Sequence, residues 1–495
     1  MRSVNSIKQT ILFLKNNSVD SVLLSFGLVD LPYIGISKDL ENNIIYKNNG
    51  MSIENLKSKK MSGKIIRLIS ETYATKSNIK DLINQSVDDY GYWNKRNCGY
   101  IEEGIILYQP TSYQKNKKII FVFPIFLAVG GVERNTAEII EALKDEYDFV
   151  VVNFERLNES LGSLQHQFIK TCLSVYDVTE LSSHDGILNY LKILNQFYRP
   201  ELIWICNGSP WMEHNLANIR SIFKNSAIVD QEVYDTDEGW VRLYKEKNQN
   251  LLSFDGFIAI NSRIKNIFIN DVNIDEKKVD LIYSVMSDEK RNKALNYTRN
   301  ELLKKYNLNS DQKYIISIGR LTHQKAPLDL IHLIQKVIDQ YGEEFKFIIV
   351  GSGELSIQVD QLIKKYNLQK YTVKLDYIDN TYELHLIAEA IIFTSLYEGL
   401  SIALLEALSV GTPGISTDVG DTKLVFELFE NGLIFDEIGV VDTYLKNFSY
   451  FIENYQFYKN NAMKNKHQII DKFSIKNIAT QYKIAFEKAI KSKVV

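Results

Sequence analysis

The sequence predicts an α/β protein built from two Rossmann-like, doubly wound parallel sheets. From Ile119 onward, short continuous apolar runs alternate with helical stretches, which is typical of strands buried on both faces of a parallel sheet. The alternation stops at the polar segment Ser287–Lys313 and then begins again, so we predict two such domains. The 495 residues, 45% hydrophobic and 24% charged, are enough for several folded domains.

The first 115 residues show no regular alternation of strands and helices. Helix-like stretches occur at Ser6–Lys15, Ile53–Lys60 and Lys64–Tyr73, and Thr111–Lys118 has the composition of a linker. We therefore predict an N-terminal accessory region at residues 1–115. Acceptor selection, partner binding and self-association are the roles open to it.

The first Rossmann-like domain is predicted at residues 116–285. Its first strand, IIFVFPIFL from Ile119, precedes Gly130–Gly131 and a helix whose apolar stripe includes Val132 and Ile139. Further strand-like runs lie at Asp148–Asn153, Leu202–Cys206, Ser226–Val229, Gly256–Ile260 and Val279–Tyr283.

The second Rossmann-like domain is predicted at residues 286–474. Its strand-like runs lie at Tyr314–Ile318, Phe345–Val350, Tyr371–Leu375, Ala390–Thr394, Gly414–Ser416 and Gly432–Phe435. Its helical stretches lie near Pro327–Tyr341, Leu355–Tyr366, Leu384–Ala388, Ile402–Val410 and Thr422–Phe429. Residues 475–495 contain one amphipathic helix. We expect the two domains to face each other across a cleft, with ligands at the carboxyl ends of the strands.

Composition excludes several classes of protein. Lys and Arg number 58 and Asp and Glu 61, a formal net charge of −3, which argues against a partner in nucleic acid. The three cysteines, Cys98, Cys172 and Cys206, form no CxxC pair, so we expect neither a disulfide framework nor a structural zinc site. Since we find no signal peptide and no apolar run that could cross a bilayer, we expect a cytoplasmic protein. A basic cluster at Lys57–Arg67 leaves peripheral contact with the inner face of the membrane open.

Two turns that follow predicted strands could bind an anion. Gly130 and Gly131 let a ligand approach the backbone at a helix N-terminus, where N–H groups are free. In the second domain, Gly319 and Arg320 follow a strand and Lys325 lies nearby. Arg320 could hold a diphosphate by a bidentate fork and Lys325 as a point charge. For both turns the alternative is an ordinary solvated loop.

A third turn, ending in Gly353 and Glu354, begins a GxGxxG pattern. Position 356 is Ser, however, so the dinucleotide fingerprint is incomplete. We expect a turn with some ligand contact here.

The strongest chemical signal is the pair Glu398 and Glu406, eight residues apart. A helix beginning near Ser401 would separate them by about 12 Å, which suits the two ends of a nucleotide-sugar. The N–H groups of Gly399, Leu400 and Ser401 would then be presented to the diphosphate. The alternative is that both glutamates are ordinary helix residues.

The segment TSLYEGLSIALLEALSVGTPGISTDVG around these glutamates resembles the E-x7-E donor-site signature of family 4 glycosyltransferases. The resemblance extends to SIGRLTHQKAP (317–327), IIVGSGE (348–354), FLAVGGVERNTAEI (126–139) and DEKKVDLIYSVM (275–286). It covers residues 118–491. The set of motifs in this order is specific, although no single piece is.

The resemblance implies a GT-B fold in which the helix at 475–495 crosses back to the N-terminal domain. It implies a retaining transferase that needs no metal or other cofactor, and we expect a UDP- or GDP-linked sugar donor. Arg320 and Lys325 would hold the diphosphate, Glu398 the transferred sugar and Glu406 the ribose. We assign catalysis to Glu398, Arg320, Lys325 and Asp235. We assign donor binding to Gly130, Gly131, Gly319, Arg320, Lys325, Gly353, Glu354, Glu398, Gly399, Leu400, Ser401 and Glu406.

The sequence departs from the family pattern at three places. The usual His of the N-domain loop is missing from IVDQEVYDTDEGW (228–240), where Asp230, Glu232 and Asp235 are candidates for a related role. The usual Asn-Gly at the linker reads Tyr283–Ser284, and the usual Gly-Gly of the last donor loop reads Gly420–Asp421. Asp235 also begins a D-x-D triplet, which binds metal in the other major transferase fold. We expect no metal because the second domain resembles the metal-free fold.

We therefore predict a retaining glycosyltransferase that moves a sugar from a nucleotide-diphosphate donor to a hydroxyl of a glycan, lipid-linked or protein acceptor. One alternative is a non-catalytic GT-B-fold scaffold that partners another glycosyltransferase, motivated by the missing His. A sugar-nucleotide epimerase would also use two such domains, but the E-x7-E signature argues against it.

Overall fold

A computed structural model describes residues 116–127, 130–154, 164–177, 184–206, 208–233 and 253–494. The predicted accessory region and Asp235 lie outside these residues. The described chain forms two compact units. The first extends to Gln231 and includes residues 253–257 and 483–494, and the second comprises Glu232, Val233 and Ile258–Tyr482. The domain limits that we derived from the sequence stay a prediction.

The first sheet has its first strand in the centre, as in a Rossmann-like fold. Its strands are β1 (Lys118–Pro124), β2 (Tyr147–Asn153), β3 (Ser174–Asp177), β4 (Leu202–Cys206), β5 (Ala227–Glu232), β6 (Gly256–Ala259) and β7 (Val279–Leu281). The spatial order is β3-β2-β1-β4-β5-β6-β7, and β1 pairs in parallel with β2 and β4. Side chains from Ile119 to Phe123 are fully buried, as the continuous apolar run predicts for a strand covered on both faces.

The helices that alternate with these strands are α1 (Gly131–Leu143), α2 (Gln165–Thr171), α3 (His184–Tyr198) and α4 (Pro210–Ile222). Helix α4 shows a local start signal, since Pro210 occupies its first turn and the Ser209 hydroxyl accepts a hydrogen bond from the Met212 amide (3.2 Å). The sequence prediction missed β3. Its four residues, SVYD, form a short strand at the edge of the sheet and carry little apolar signal.

The second sheet repeats the same arrangement. Its strands are β8 (Lys313–Ile318), β9 (Phe345–Val350), β10 (Thr372–Leu375), β11 (Ala390–Phe393), β12 (Gly414–Ser416) and β13 (Gly432–Ile434), in the order β10-β9-β8-β11-β12-β13. All neighbouring strands are parallel. Ile315 packs in one core with Leu330, whereas Ile316 packs with Leu404 in a second core, because successive side chains of a strand point to opposite faces. Helices therefore cover both faces, which confirms the doubly wound prediction.

The helices of the remaining chain are α5 (Ser262–Asn266), α6 (Asp288–Ala294), α7 (Arg299–Lys305), α8 (Pro327–Tyr341), α9 (Ser356–Lys365), α10 (Tyr382–His385), α11 (Ile402–Ser409), α12 (Thr422–Phe429), α13 (Val441–Glu453), α14 (Tyr455–Phe473) and α15 (Ile475–Val494). Helices α6 and α7 lie in the segment that we interpreted only as a polar junction. The signal was present, because Thr298 and Glu301 form a capping box at the start of α7.

The end of α15 is anchored to the first sheet within the first unit. Lys118 Nζ donates to both carboxylate oxygens of Glu487 (2.7 and 2.6 Å), and the Tyr147 hydroxyl donates to the same side chain (2.9 Å). Burial raises the pKa of Glu487, but these hydrogen bonds and the Lys118 charge outweigh it and hold the pKa below its usual value. In the part of the chain that the structure describes, no helix is long and apolar enough to cross a membrane.

Candidate functional site

The candidate site lies in the second unit, at the edge where β8, β9 and β11 end. A cleft opens there. Its lining includes Gly319, Arg320, Lys325, Thr394 and Ser395, which follow or end two neighbouring strands. The carboxyl edge of a parallel sheet is where such folds bind small ligands. The structure thus brings the predicted cations to the predicted edge.

The loops after β8 and β9 are held against each other by main-chain hydrogen bonds. The Leu321 amide donates to Ser352 (2.9 Å), and the Leu355 amide donates back to Leu321 (2.9 Å). A Cβ atom on Gly351 would lie 2.1 Å from the Gly319 carbonyl oxygen, and one on Gly353 would lie 2.6 Å from that of Leu321. Close packing of two loops therefore accounts for the partial GxGxxG pattern.

Glu354 contacts the Lys325 loop. Its carboxylate accepts a hydrogen bond from the His323 amide (3.2 Å), at the start of the 3-10 turn His323–Lys325. Ala326, directly after this turn, adopts a left-handed conformation with φ of 44°, and the Thr394 hydroxyl donates to its carbonyl (3.0 Å). These contacts fix the backbone from which the Lys325 side chain extends.

Lys325 and Glu398, which we assigned separately to phosphate and sugar, form an ion pair. The Ser395 hydroxyl donates to the same Glu398 oxygen (2.7 Å). The side chains of Lys325 and Glu398 are only 21% and 9% exposed, so water screens the pair weakly. Each partner therefore fixes the other before any ligand is bound.

Arg320 differs from Lys325 because no described residue forms an ion pair with it. The guanidinium lines the cleft and is half-buried, and it makes no hydrogen bond or ion pair with the described residues. An Arg in this position can offer two parallel N–H groups to a phosphate.

Helix α11 presents its N-terminus at the same edge. Ser401 is the N-cap, and its hydroxyl accepts from the Leu404 amide (3.4 Å). Within the described chain, the buried N–H groups of Gly399, Leu400 and Ser401 have no hydrogen-bond partner. Buried unpaired N–H groups at a helix start are suited to an anion.

Glu406 is buried on α11, little more than one turn beyond the first residue of the helix. The Thr381 hydroxyl donates to its Oε2 atom (2.6 Å), and the buried His385 Nε2 atom lies 3.7 Å from the same oxygen. Oε1 accepts no hydrogen bond from the described residues, so a ligand hydroxyl can donate to it. Burial, followed by the nearby Glu406 charge, raises the pKa of Tyr382.

Sequence reasoning identified neither Thr381 nor His385 as a neighbour of Glu406. The available signal was their spacing of four residues, which places them on one face of the turn that begins α10. Nothing in the sequence says which face meets Glu406.

The N-domain candidates have different surroundings. Gly130 is extended and precedes α1, and a Cβ atom there would lie 2.1 Å from Glu133 Oε2. Asp230 and Glu232 are buried in β5, and Glu232 accepts a hydrogen bond from the Val233 amide (2.9 Å). Asp235 lies outside the described residues, so its catalytic role remains a prediction.

Comparison with known proteins gives a family match in the second half of the chain. Residues 298–468 match the model described as "Glycosyl transferases group 1". The O-antigen biosynthesis glycosyltransferase WbnH of Escherichia coli is 24% identical over 383 residues, which are 72% of this chain and 95% of WbnH. The chain matches three other relatives over 30%, 48% and 52% of their length.

Two solved structures share the architecture. A glycosyltransferase from Rickettsia africae has a TM-score of 0.62 at 19% identity and covers 76% of this chain and 99% of its own. HepE of Anabaena, solved in complex with UDP, has a TM-score of 0.59 at 16% identity over 75% of this chain and 99% of its own. Identity this low bears on the fold alone. Together with the two parallel sheets, these structures confirm the predicted GT-B fold.

Proposed function

We propose that the chain is a glycosyltransferase of group 1, which transfers a sugar from a nucleoside-diphosphate donor with retention of configuration. The acceptor is a hydroxyl of a glycan, a lipid-linked glycan or a protein. A glycan acceptor is favoured because the similar protein WbnH acts in O-antigen biosynthesis. UDP is the first nucleotide to test because the similar HepE was solved with UDP, and GDP is the second.

The observation that supports this proposal is that a cation and several N–H groups, all without a partner among the described residues, lie at one sheet edge. Arg320 supplies a cation to the cleft, and the N–H groups of Gly399, Leu400 and Ser401 remain free of partners among the described residues. Lys325 adds a second charge that Glu398 positions. These groups favour a dianionic leaving group over a neutral ligand.

We assign the two remaining parts of the donor, the transferred sugar and the ribose, to the two glutamates. In this proposal Glu398, which pairs with Lys325, accepts hydrogen bonds from hydroxyls of the transferred sugar. Glu406 lies little more than one turn into α11, and its Oε1 atom, which accepts no hydrogen bond from the described residues, suits a ribose hydroxyl, which is a hydrogen-bond donor.

In the proposed reaction, the bond between the anomeric carbon and the β-phosphate oxygen breaks as the acceptor oxygen bonds to that carbon on the same face. The diphosphate leaves with the bonding electron pair, and its oxygen accepts the proton of the acceptor hydroxyl. Arg320, Lys325 and the α11 amides stabilise the negative charge that develops on the diphosphate. The protein forms no covalent bond in this scheme.

The proposal is tested first by thermal unfolding with UDP-, GDP-, ADP- and TDP-sugars. A donor at 100 times its Kd stabilises the folded chain by about 2.7 kcal/mol. We expect one nucleotide to raise the melting temperature of wild type and to lose that effect in Arg320→Ala and Glu406→Ala. Lys464→Ala and Glu453→Ala, which remove exposed charges of the same sign, are the matched controls. No shift with any donor in folded wild-type protein would contradict donor binding.

Transfer itself is tested by release of the nucleoside diphosphate. We expect release to depend on an added glycan acceptor and the product to keep the anomeric configuration of the donor, as read by NMR. Donor binding without acceptor-dependent release would favour a non-catalytic role, and an inverted product would refute the retaining mechanism.

A further inference from the structure

Asp421 is a buried carboxylate that the proposed reaction does not use. It lies at the start of α12 and is 2% exposed. Its Oδ2 atom accepts hydrogen bonds from the Ser262 amide (2.8 Å) and the Tyr283 hydroxyl (2.9 Å), and its Oδ1 atom accepts from the Ser262 hydroxyl (2.6 Å). No Lys, Arg or His of the described chain pairs with it.

Two departures from the family pattern thus meet in space. Tyr283 and Asp421 stand where we noted an unusual linker and an unusual last donor loop, 138 residues apart in the chain. Three neutral donors satisfy the carboxylate, and its position at a helix N-terminus also favours negative charge. Burial, and then the Asp421 charge, raises the pKa of the Tyr283 hydroxyl, so this group remains a donor at neutral pH.

The same segment holds the carbonyl of Gly399. The Asn261 side-chain amide donates to this oxygen (3.1 Å), and the Asp421 main-chain amide approaches it at 3.4 Å. Gly420 has φ of 50°, and a Cβ atom there would lie 1.6 Å from the Gly399 oxygen. The loop before α12 therefore packs directly on the Gly399–Leu400 peptide.

A fixed carbonyl also fixes the N–H group of the same peptide. The described chain contains no cis peptide bond, and a trans peptide directs its C=O and N–H groups to opposite sides. Holding the Gly399 carbonyl on the side of Asn261 and Asp421 directs the Leu400 N–H away from them. This N–H is one of the three free groups that we assign to the donor diphosphate.

We propose that Asp421, held by Ser262 and Tyr283, is a positioning residue that orients the Gly399–Leu400 peptide for the donor diphosphate. The inference rests on the proposed function, because it presupposes that the α11 N-terminus binds phosphate. Asp421 acts on the ligand only through the main chain.

The test compares ligands with and without phosphate. Affinities for UDP and uridine, and for GDP and guanosine, are measured by titration calorimetry on the full chain. In Asp421→Ala we expect the diphosphate affinity to fall by about tenfold to a hundredfold, since small misplacements in a site carry costs of this size. The nucleoside affinity should stay unchanged, because it does not involve the Leu400 amide. Asp311→Ala, at an exposed position, is the control.

Two conservative variants separate geometry from charge. In Asp421→Asn the amide oxygen can accept from the Ser262 amide and Tyr283, while its NH₂ group donates to the Ser262 hydroxyl, so we expect near wild-type diphosphate affinity. Tyr283→Phe removes one hydrogen bond at constant volume, and we expect a smaller loss than in Asp421→Ala. Thermal unfolding without ligand shows whether each variant is folded.

Several results would overturn the inference. If Asp421→Ala lost affinity for the nucleoside and for the nucleoside diphosphate equally, the role of Asp421 would be merely structural. If the variant lost no affinity for either ligand, Asp421 would have no positioning role. An Asp421→Asn variant as weak as Asp421→Ala would assign the effect to the negative charge instead. If the wild-type protein binds no nucleotide, the proposed function itself fails. That result is distinguishable from the others, which all require that wild type binds the nucleoside diphosphate.

Discussion

Replacing Lys325 by Met is the perturbation for which the structure predicts the most specific pattern of results. The variant keeps an unbranched side chain that is one atom shorter, and it removes the charge that pairs with Glu398. Glu398 is then left with the hydrogen bond from Ser395 (2.7 Å) but without a counter-ion.

The size of the expected loss of stability follows from the burial of the ion pair. Removing one partner of a buried ion pair costs about 3–5 kcal/mol, because the other charge stays desolvated. Since Lys325 is 21% exposed, we expect the lower end, about 3 kcal/mol. In a domain of this size that corresponds to a fall in melting temperature of about 6–12 °C.

The double variant Lys325→Met/Glu398→Gln tests whether the unpaired charge of Glu398 causes the loss of stability. It removes both charges and leaves a neutral amide that still accepts from Ser395. We expect most of the lost stability to return, while donor affinity stays low in both variants. Stability is measured by urea and thermal unfolding, and affinity by titration with the nucleoside diphosphate. If the double variant were as unstable as the single one, or if the single variant were as stable as wild type, the reasoning from buried charge would be wrong.

Three further predictions concern other parts of the structure. Arg320→Ala should reduce nucleoside-diphosphate affinity by at least about tenfold, since a hydrogen bond between charged groups contributes about 1.5–3 kcal/mol. The melting temperature without ligand should stay unchanged, because Arg320 has no partner in the described chain. A variant that loses both affinity and melting temperature would contradict this. Gly420→Ala should destabilise the chain by more than about 2 kcal/mol in urea unfolding. The added Cβ atom is strained at φ of 50° and clashes with the Gly399 carbonyl oxygen. An unfolding midpoint equal to that of wild type would refute this prediction. Because the pKa of Glu487 is lowered in the folded state, its stabilising effect is present above the ordinary value of 4.5 and is lost as the pH falls through the folded-state pKa. Unfolding scans between pH 6 and 3 should therefore show a larger loss in wild type than in Glu487→Gln, and parallel curves would contradict the assignment.

Local periodicity in the sequence was sufficient for most of the fold. The apolar run from Ile119 predicted a strand buried on both faces of a parallel sheet, and Tyr314–Ile318 predicted its counterpart. Both are strands inside their sheets, and Ile119 to Phe123 and Tyr314 to Ile316 are buried. The short edge strand β3 and the capped helix α7 were missed, because neither carries a long apolar pattern.

The spacing of Glu398 and Glu406 was also a local feature. Glu406 lies on α11, whereas Glu398 lies in the loop four residues before the helix begins, so only part of the interval of eight residues is helical. The sequence by itself thus determined the fold class and the positions of the loops at the strand ends.

Only the tertiary structure decided which of these residues meet. Lys325 reaches Glu398 across 73 positions because β8 and β11 are neighbours in the sheet, although β9 and β10 lie between them in the chain. Thr381 likewise contacts Glu406, and Asp421 contacts Ser262 across 159 positions, because tertiary packing brings together elements that are separated in the chain. Side-chain periodicity records which face of an element is buried, whereas the partner on that face depends on the order in which elements pack.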